Sequence, residues 1–128
     1  MGVSNVHDSR ERTILVVEDD PTLSEILSIL LEDTGARILT ASGGAEALEM
    51  VAGEKPDLIT MDLTLPDIDG YEVLRRLQTD SAAANVPIVV VSGRPFEQRV
   101  SARVVGVLMK PFDASELDAV VREALAGT

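Results

Sequence analysis

The chain has 128 residues, 45% of them apolar, which is enough to bury one core and too few for two. A net charge of −11 at pH 7, with no Trp, one Tyr and two Phe, argues against direct nucleic-acid binding, which needs clustered cations for phosphates and aromatic platforms for bases. Zero cysteines exclude disulfides and thiolate metal sites, and a single histidine, His7, leaves zinc almost no ligands, so any metal is expected on oxygen.

Residues 1–12, MGVSNVHDSRER, carry charge without a period and read as a flexible tail ahead of one domain over residues 13–126. The chain shows no run of about 18 apolar residues and no basic segment leading into an apolar one, so membrane insertion and secretion are not expected and the cytoplasm is the default.

From Thr13 onward the pattern is regular. Short apolar runs stand at Ile14 to Val17, Leu58 to Met61, Ile88 to Val91 and Val107 to Met109, with a weaker one at Ile38 to Ala41. They are aliphatic at nearly every position rather than alternating, which suits parallel strands covered on both faces. Helical periods lie between them. Leu23, Ile26, Leu27, Leu30 and Leu31 share one stripe, and Gly35 follows where a left-handed cap would end the helix. Ala45, Leu48 and Val51 predict a second helix, and Val73, Leu74 and Leu77 a third. A short, weakly patterned helix is expected between Phe96 and Val105. Leu117, Val120, Val121, Ala124 and Leu125 form the last stripe, with Asp113 and Glu116 spaced as a capping box. Five strand-plus-helix units in alternation predict a doubly wound α/β domain with a five-stranded parallel sheet.

In such a sheet the ligand site lies beyond the carboxyl ends of the strands. Those ends deliver Glu18, Asp19 and Asp20 in VVEDDP, Asp62 in TMDLTLPDIDG, Ser92 in VVVSGRP and Lys110 in LMKPF. The second strand offers only Ser42, read as an N-cap. Asp20 has an ordinary explanation, because Pro21 suits the first helical position and makes Asp20 its cap. Glu18 and Asp19 close an apolar strand and have no such explanation. Carboxylates brought to about 4 Å repel by roughly 4 kcal/mol per pair at an effective dielectric of 20. A cluster of these two with Asp62 therefore calls for a cation, and hard oxygen ligands with room for water suit Mg²⁺. A carboxylate attacks a phosphoryl group to give an acyl phosphate. Mg²⁺ on Glu18 and Asp19, the Lys110 ammonium and the Ser92 hydroxyl would then share the charge of the phosphoryl oxygens.

At these residues the chain resembles the response-regulator receiver family of two-component signalling, of the single-domain or hybrid-kinase type. ILVVEDDP, DLITMDLTLPDIDGYEVLRRL, PIVVVSG and MKPFD match its motifs in order, and the similarity runs from about Thr13 to Leu125. The resemblance implies a flavodoxin-like sheet of order 2-1-3-4-5, Asp62 as phosphoacceptor, and Mg²⁺ held by Asp19, Glu18, Asp62 and the backbone carbonyl of Thr64. Ser92 is implied as switch hydroxyl, Lys110 as the phosphoryl-contacting lysine, and a cis bond before Pro111. It further implies a histidine kinase or histidine phosphotransfer protein as phosphodonor, and catalysis confined to the chain's own phosphorylation and dephosphorylation.

Two departures stand out. Val107 occupies the position where the family usually carries Tyr or Phe as a switch, and Ser92 and Lys110 are only 18 positions apart, short by roughly one helical turn. The helix between them is expected to be shortened or irregular. Thr64 and Arg94, each two positions beyond a site residue, are expected to tune turnover by screening water from the phosphoryl group. A receiver-like docking module that works without phosphorylation, and a Mg²⁺-dependent small-molecule phosphatase, are alternatives at this point. The first draws on the missing aromatic; the second lacks any segment for substrate specificity.

Overall fold

The structure, a computed structural model, describes residues 11–98 and 103–127. In chain order the elements are β1 (Thr13–Val17), α1 (Pro21–Glu32), β2 (Arg37–Ala41), α2 (Gly44–Glu54), β3 (Leu58–Met61), α3 (Gly70–Thr79), β4 (Ile88–Ser92), β5 (Val104–Met109) and α4 (Ala114–Ala126). The strands form one parallel sheet of order β2-β1-β3-β4-β5, as expected.

Alternate residues of each strand feed two cores. Leu15, Val17, Ile59, Met61 and Val90 face α2 and α3, which contribute Ala47, Val51, Val73, Leu74 and Leu77. Ile14, Val16, Leu58, Val89, Val91 and Leu108 face α1 and α4, which contribute Leu27, Leu31, Leu117 and Val121. Coverage on both sides is the reason the strands read as continuous apolar runs. Among the described residues no helix is long and apolar enough to cross a membrane.

The caps explain where the helices begin and end. Asp20 accepts the N–H groups of Thr22 and Leu23 with Pro21 as first helical residue, and Gly35, at φ 84°, turns the chain out of α1. Asp113 and Glu116 form the predicted capping box of α4.

Three expectations need correction. Gly43, not Ser42, is the N-cap of α2, and the helix's first amides are taken by Asp67 from the β3–α3 loop. Ala45 is exposed on α2, whose buried face is Gly44, Ala47 and Val51, because the helix starts at Gly44 and its stripe is set from there. β5 begins at Val104 rather than Val107: the register shifts between Ile88 and Val89, and Gly106 lets the edge strand continue against α4.

The connection from β4 to β5 holds no helix among its described residues, Gly93 to Gln98 and Arg103, in line with a shortened or irregular element; the rest of that expectation falls on residues 99–102, outside the described residues. Residues 1–10 of the expected tail also lie outside. Arg12 is tied into the fold, its backbone carbonyl accepting from Arg37 and its guanidinium donating to Leu125 O at 2.7 Å.

Candidate phosphoryl-transfer site

Strand register assembles the site. Val17 pairs with both Ala41 and Met61, so Glu18 and Asp62 leave neighbouring strands side by side. The ladder then continues one residue beyond the strand ends. Glu18 N donates to Ala41 O at 3.0 Å, Asp62 N to Val17 O at 3.1 Å, and Lys110 N to Ser92 O at 2.9 Å. Each site backbone is thereby fixed before its side chain is considered.

The side chains converge as the sequence predicts. Glu18, Asp19 and Asp62 each offer a carboxylate oxygen within 4.8 Å of the others. Glu18 and Asp62 are only 3% and 4% exposed, whereas Asp19 is open to solvent. Lys110 Nζ reaches both buried acids, at 3.0 Å from Glu18 Oε1 and 3.1 Å from Asp62 Oδ2. The peptide bond from Lys110 to Pro111 is cis. Asp62 Oδ1 accepts the Thr64 N–H at 3.0 Å, and Glu18 Oε2 accepts the Asp20 N–H at 3.2 Å. Ser92 is buried at the end of β4, and its Oγ accepts the Arg94 N–H at 3.3 Å.

The electrostatics follow from this packing. Burial pushes the Glu18 pKa up; the hydrogen bonds from Lys110 and Asp20 act in the other direction and do not cancel it. Burial draws the Lys110 pKa down, but its hydrogen bonds to Glu18 and Asp62 and their charges together outweigh it, leaving the ammonium held above its usual range. Three carboxylates against one ammonium leave the rim net negative, and every donor is a hard oxygen. That composition fits a divalent cation of the Mg²⁺ class, for which Glu18, Asp19 and Asp62 are the candidate ligands.

Arg94 stands two positions beyond Ser92 in the loop after β4. Its guanidinium is committed to the β3–α3 loop, with Nη2 donating to Leu63 O at 2.8 Å and to Asp69 Oδ2 at 3.2 Å. Thr64 is exposed beside Asp62. The residue that sequence reasoning missed is Asp67. Its carboxylate accepts from Gly44 and Ala45 at 2.8 and 3.0 Å and so anchors the loop that follows Asp62 to the start of α2. No spacing along the chain signals a cap delivered from 23 residues away.

Comparison with known proteins agrees with this geometry. Protein PilH of Pseudomonas aeruginosa is 32% identical over 120 residues, which cover 89% of this chain and 98% of PilH. The DNA-binding response regulator MtrA of Mycolicibacterium smegmatis is 38% identical over 125 residues, 92% of this chain but only 52% of MtrA, so the chain spans about half the length of that relative. The crystal structure of the receiver domain of the sensor histidine kinase PA1611 from Pseudomonas aeruginosa PAO1, with a magnesium ion coordinated in its active site cleft, superposes with a TM-score of 0.82. It is 26% identical and is matched over 91% of this chain and 98% of that one. The family model described as response regulator receiver domain matches residues 14–122. That match covers most of the chain, the sheet order agrees with it, and the chain belongs to the response regulator receiver domain family.

Proposed function

We propose that this chain is a phosphoacceptor of a two-component relay, taking a phosphoryl group onto Asp62 from a histidine kinase or histidine phosphotransfer protein and signalling through protein contact. The observation that carries this reading is the Lys110 ammonium bridging Asp62 and Glu18 beside the open carboxylate of Asp19. A lone buried aspartate would have no reason to keep such partners.

In the proposed step an Asp62 carboxylate oxygen attacks phosphorus, and the phosphorus–nitrogen bond of the donor phosphoimidazole breaks. The electron pair leaves with the imidazole nitrogen, which takes up a proton. The product is a mixed anhydride on Asp62. Lys110 stays within reach of the Asp62 side chain and would meet a phosphoryl oxygen. The Thr64 N–H holds Asp62 Oδ1 and fixes the carboxylate plane. Ser92 supplies a hydroxyl proton that has no acceptor among the described residues. Glu18, Asp19 and Asp62 would hold Mg²⁺, which would neutralise charge in a site that is otherwise net negative; the magnesium-bound PA1611 receiver supports this part of the reading. Thr64 and Arg94 are proposed to tune the lifetime of the anhydride, Thr64 by standing over it and Arg94 by setting the loop that carries Thr64.

The test is incubation with acetyl phosphate and Mg²⁺, read by intact-mass spectrometry. Wild type should gain one phosphoryl group, Asp62→Asn none, and omission of Mg²⁺ should suppress the gain. Equal labelling of Asp62→Asn, or no labelling of wild type by either acetyl phosphate or beryllium fluoride, would overturn the reading.

A further inference from the structure

Arg94 joins three parts of the molecule. Its backbone N–H is bonded to Ser92 Oγ, its Nη2 to Leu63 O and Asp69 Oδ2, and its guanidinium carbon stands 5.5 Å from the centre of the Tyr71 ring. Leu63 is the residue after Asp62, and Asp69 is the N-cap of α3, where its other oxygen accepts the Tyr71 N–H. Tyr71 is stacked on Phe96 with ring centres 5.8 Å apart and planes 10° apart, and its hydroxyl accepts the Glu97 N–H at 2.8 Å. One guanidinium and one ring pair therefore connect the loop after β4 to the loop after β3 and the first turn of α3.

The clamp is also incompletely satisfied. Arg94 Nε is buried and has no hydrogen-bond partner among the described residues. A buried donor without an acceptor disfavours the arrangement that holds it, so a small displacement that gave Nε a partner would cost little. That is the property required of an element with two discrete arrangements.

We propose that Arg94 is a positioning residue that couples Ser92 to the Tyr71–Phe96 stack, so that loading of Asp62 is reported at the N-terminus of α3. The proposal rests on the receiver reading above. When the Ser92 side chain rotates to bring its hydroxyl within donating reach of a phosphoryl oxygen, Oγ itself moves, and the Arg94 N–H bonded to Oγ must follow or let go. Either movement shifts the guanidinium against Leu63, Asp69 and the Tyr71 ring.

The chain provides its own reporter, since Tyr71 is the only tyrosine and there is no tryptophan. Tyrosine emission and the tyrosine ring NMR signals therefore come from Tyr71 alone. The full chain is titrated with beryllium fluoride in excess Mg²⁺, with fluorine NMR of the bound fluoride as an independent measure of loading. Loading should change the Tyr71 emission and ring shifts in wild type. In Arg94→Ala loading should persist while the Tyr71 response falls severalfold, and Arg94→Lys, which keeps the charge without the planar fork, should lie between. Should Arg94→Ala fail to fold, Arg94→Gln is read by the same criterion. A wild type that binds the fluoride with Tyr71 unmoved, or an Arg94→Ala that reproduces the full response, would overturn the proposal. Absence of bound fluoride in wild type would overturn the receiver reading itself, and the two failures are distinguished by the fluorine signal.

Discussion

The Lys110 ammonium lies 3.1 Å from Asp62 Oδ2, a carboxylate that also clusters with the exposed Asp19. The same nitrogen also holds Glu18, so a single cation compensates two carboxylates that are almost fully buried. Removing it leaves both uncompensated. Lys110→Ala should therefore cost about 2–3 kcal/mol in urea unfolding without metal, at the low end for a broken buried pair because water reaches the lysine side. Saturating Mg²⁺ should recover part of the loss by supplying the missing positive charge. The pH dependence has a definite sign. A folded-state lysine pKa above 10.5 means the contribution is fully present below 10.5 and disappears as pH rises through the higher folded value. A Lys110→Ala variant as stable as wild type, with or without Mg²⁺, would contradict this account.

Glu18 has the same sign of pH dependence in a lower pH range, but here it is the ionised form that folding disfavours. Burial raises its folded-state pKa above 4.5, so its ionised form disfavours folding, and that cost sets in as pH rises from 4.5 through the folded value. Metal binding requires the ionised carboxylate. Mg²⁺ affinity should accordingly begin to fall, on acidification, while the pH is still above 4.5. Glu18→Gln should weaken Mg²⁺ at pH 7 by about tenfold, equivalent to ~1.4 kcal/mol, and flatten this acid limb. Asp19→Asn should weaken it at least as much while leaving the limb in place. Isothermal titration calorimetry across pH 5 to 8 separates the two variants.

Gly70 sits where no side chain can. A Cβ there would lie 2.5 Å from Leu63 Cα and 2.8 Å from the carbonyl oxygens of Asp62 and Leu63, all backbone atoms of the segment that carries Asp62. Backbone cannot rotate away as a side chain can, so Gly70→Ala should destabilise by about 3 kcal/mol and slow labelling of Asp62 by acetyl phosphate. Gly106 is the comparison, because its Cβ would meet side chains rather than backbone, Val120 at 2.5 Å and Val89 at an ordinary 3.8 Å. Gly106→Ala should cost less and leave the labelling rate unchanged. Urea denaturation and mass spectrometry together decide it, and equal penalties in both measurements would show that the contact at Gly70 is not the controlling one.

What could be read from the chain, and what could not, divides along physical lines. Strands covered on both faces leave unbroken apolar runs, so β1, β3 and β4 were visible, and so were the acids that close two of those runs and cluster in the fold. Asp20 and Asp113 were legible as caps because a cap acts over three residues. Asp67 was not, because its partners Gly44 and Ala45 come from the other side of β3. Val104 and Val105 were left out of the last strand because Gly106 interrupts the run; in three dimensions that glycine is what allows α4 to approach. Arg94 was singled out for its distance from Ser92, but its guanidinium contacts belong to Leu63, Asp69 and Tyr71, 25 and 31 positions away for the two hydrogen bonds. Local chemistry and strand pattern are written along the chain; contacts across loops appear only once the sheet has closed.

The Asp67 cap yields a prediction of its own. Its carboxylate takes the first two amides of α2 and its own neighbour's N–H, from Ile68, and these backbone bonds hold its pKa below 3.8. A depressed folded value means that the stabilisation is fully present above 3.8 and is lost as pH falls through the lower folded value. Asp67→Ala should therefore lower the melting temperature by about 3–6 °C at neutral pH, the size expected for a lost helix cap in a domain of this length. Asp67→Asn, which keeps one acceptor oxygen but turns a donor toward a second amide, should fall between. The gap between wild type and Asp67→Ala should narrow in strong acid, where the native carboxylate is protonated as well. Because the same loop carries Thr64, whose N–H fixes Asp62, the variant should also raise hydrogen exchange at Thr64. A melting difference that does not change between neutral and acid solution would mean that α2 is held by something other than this charge.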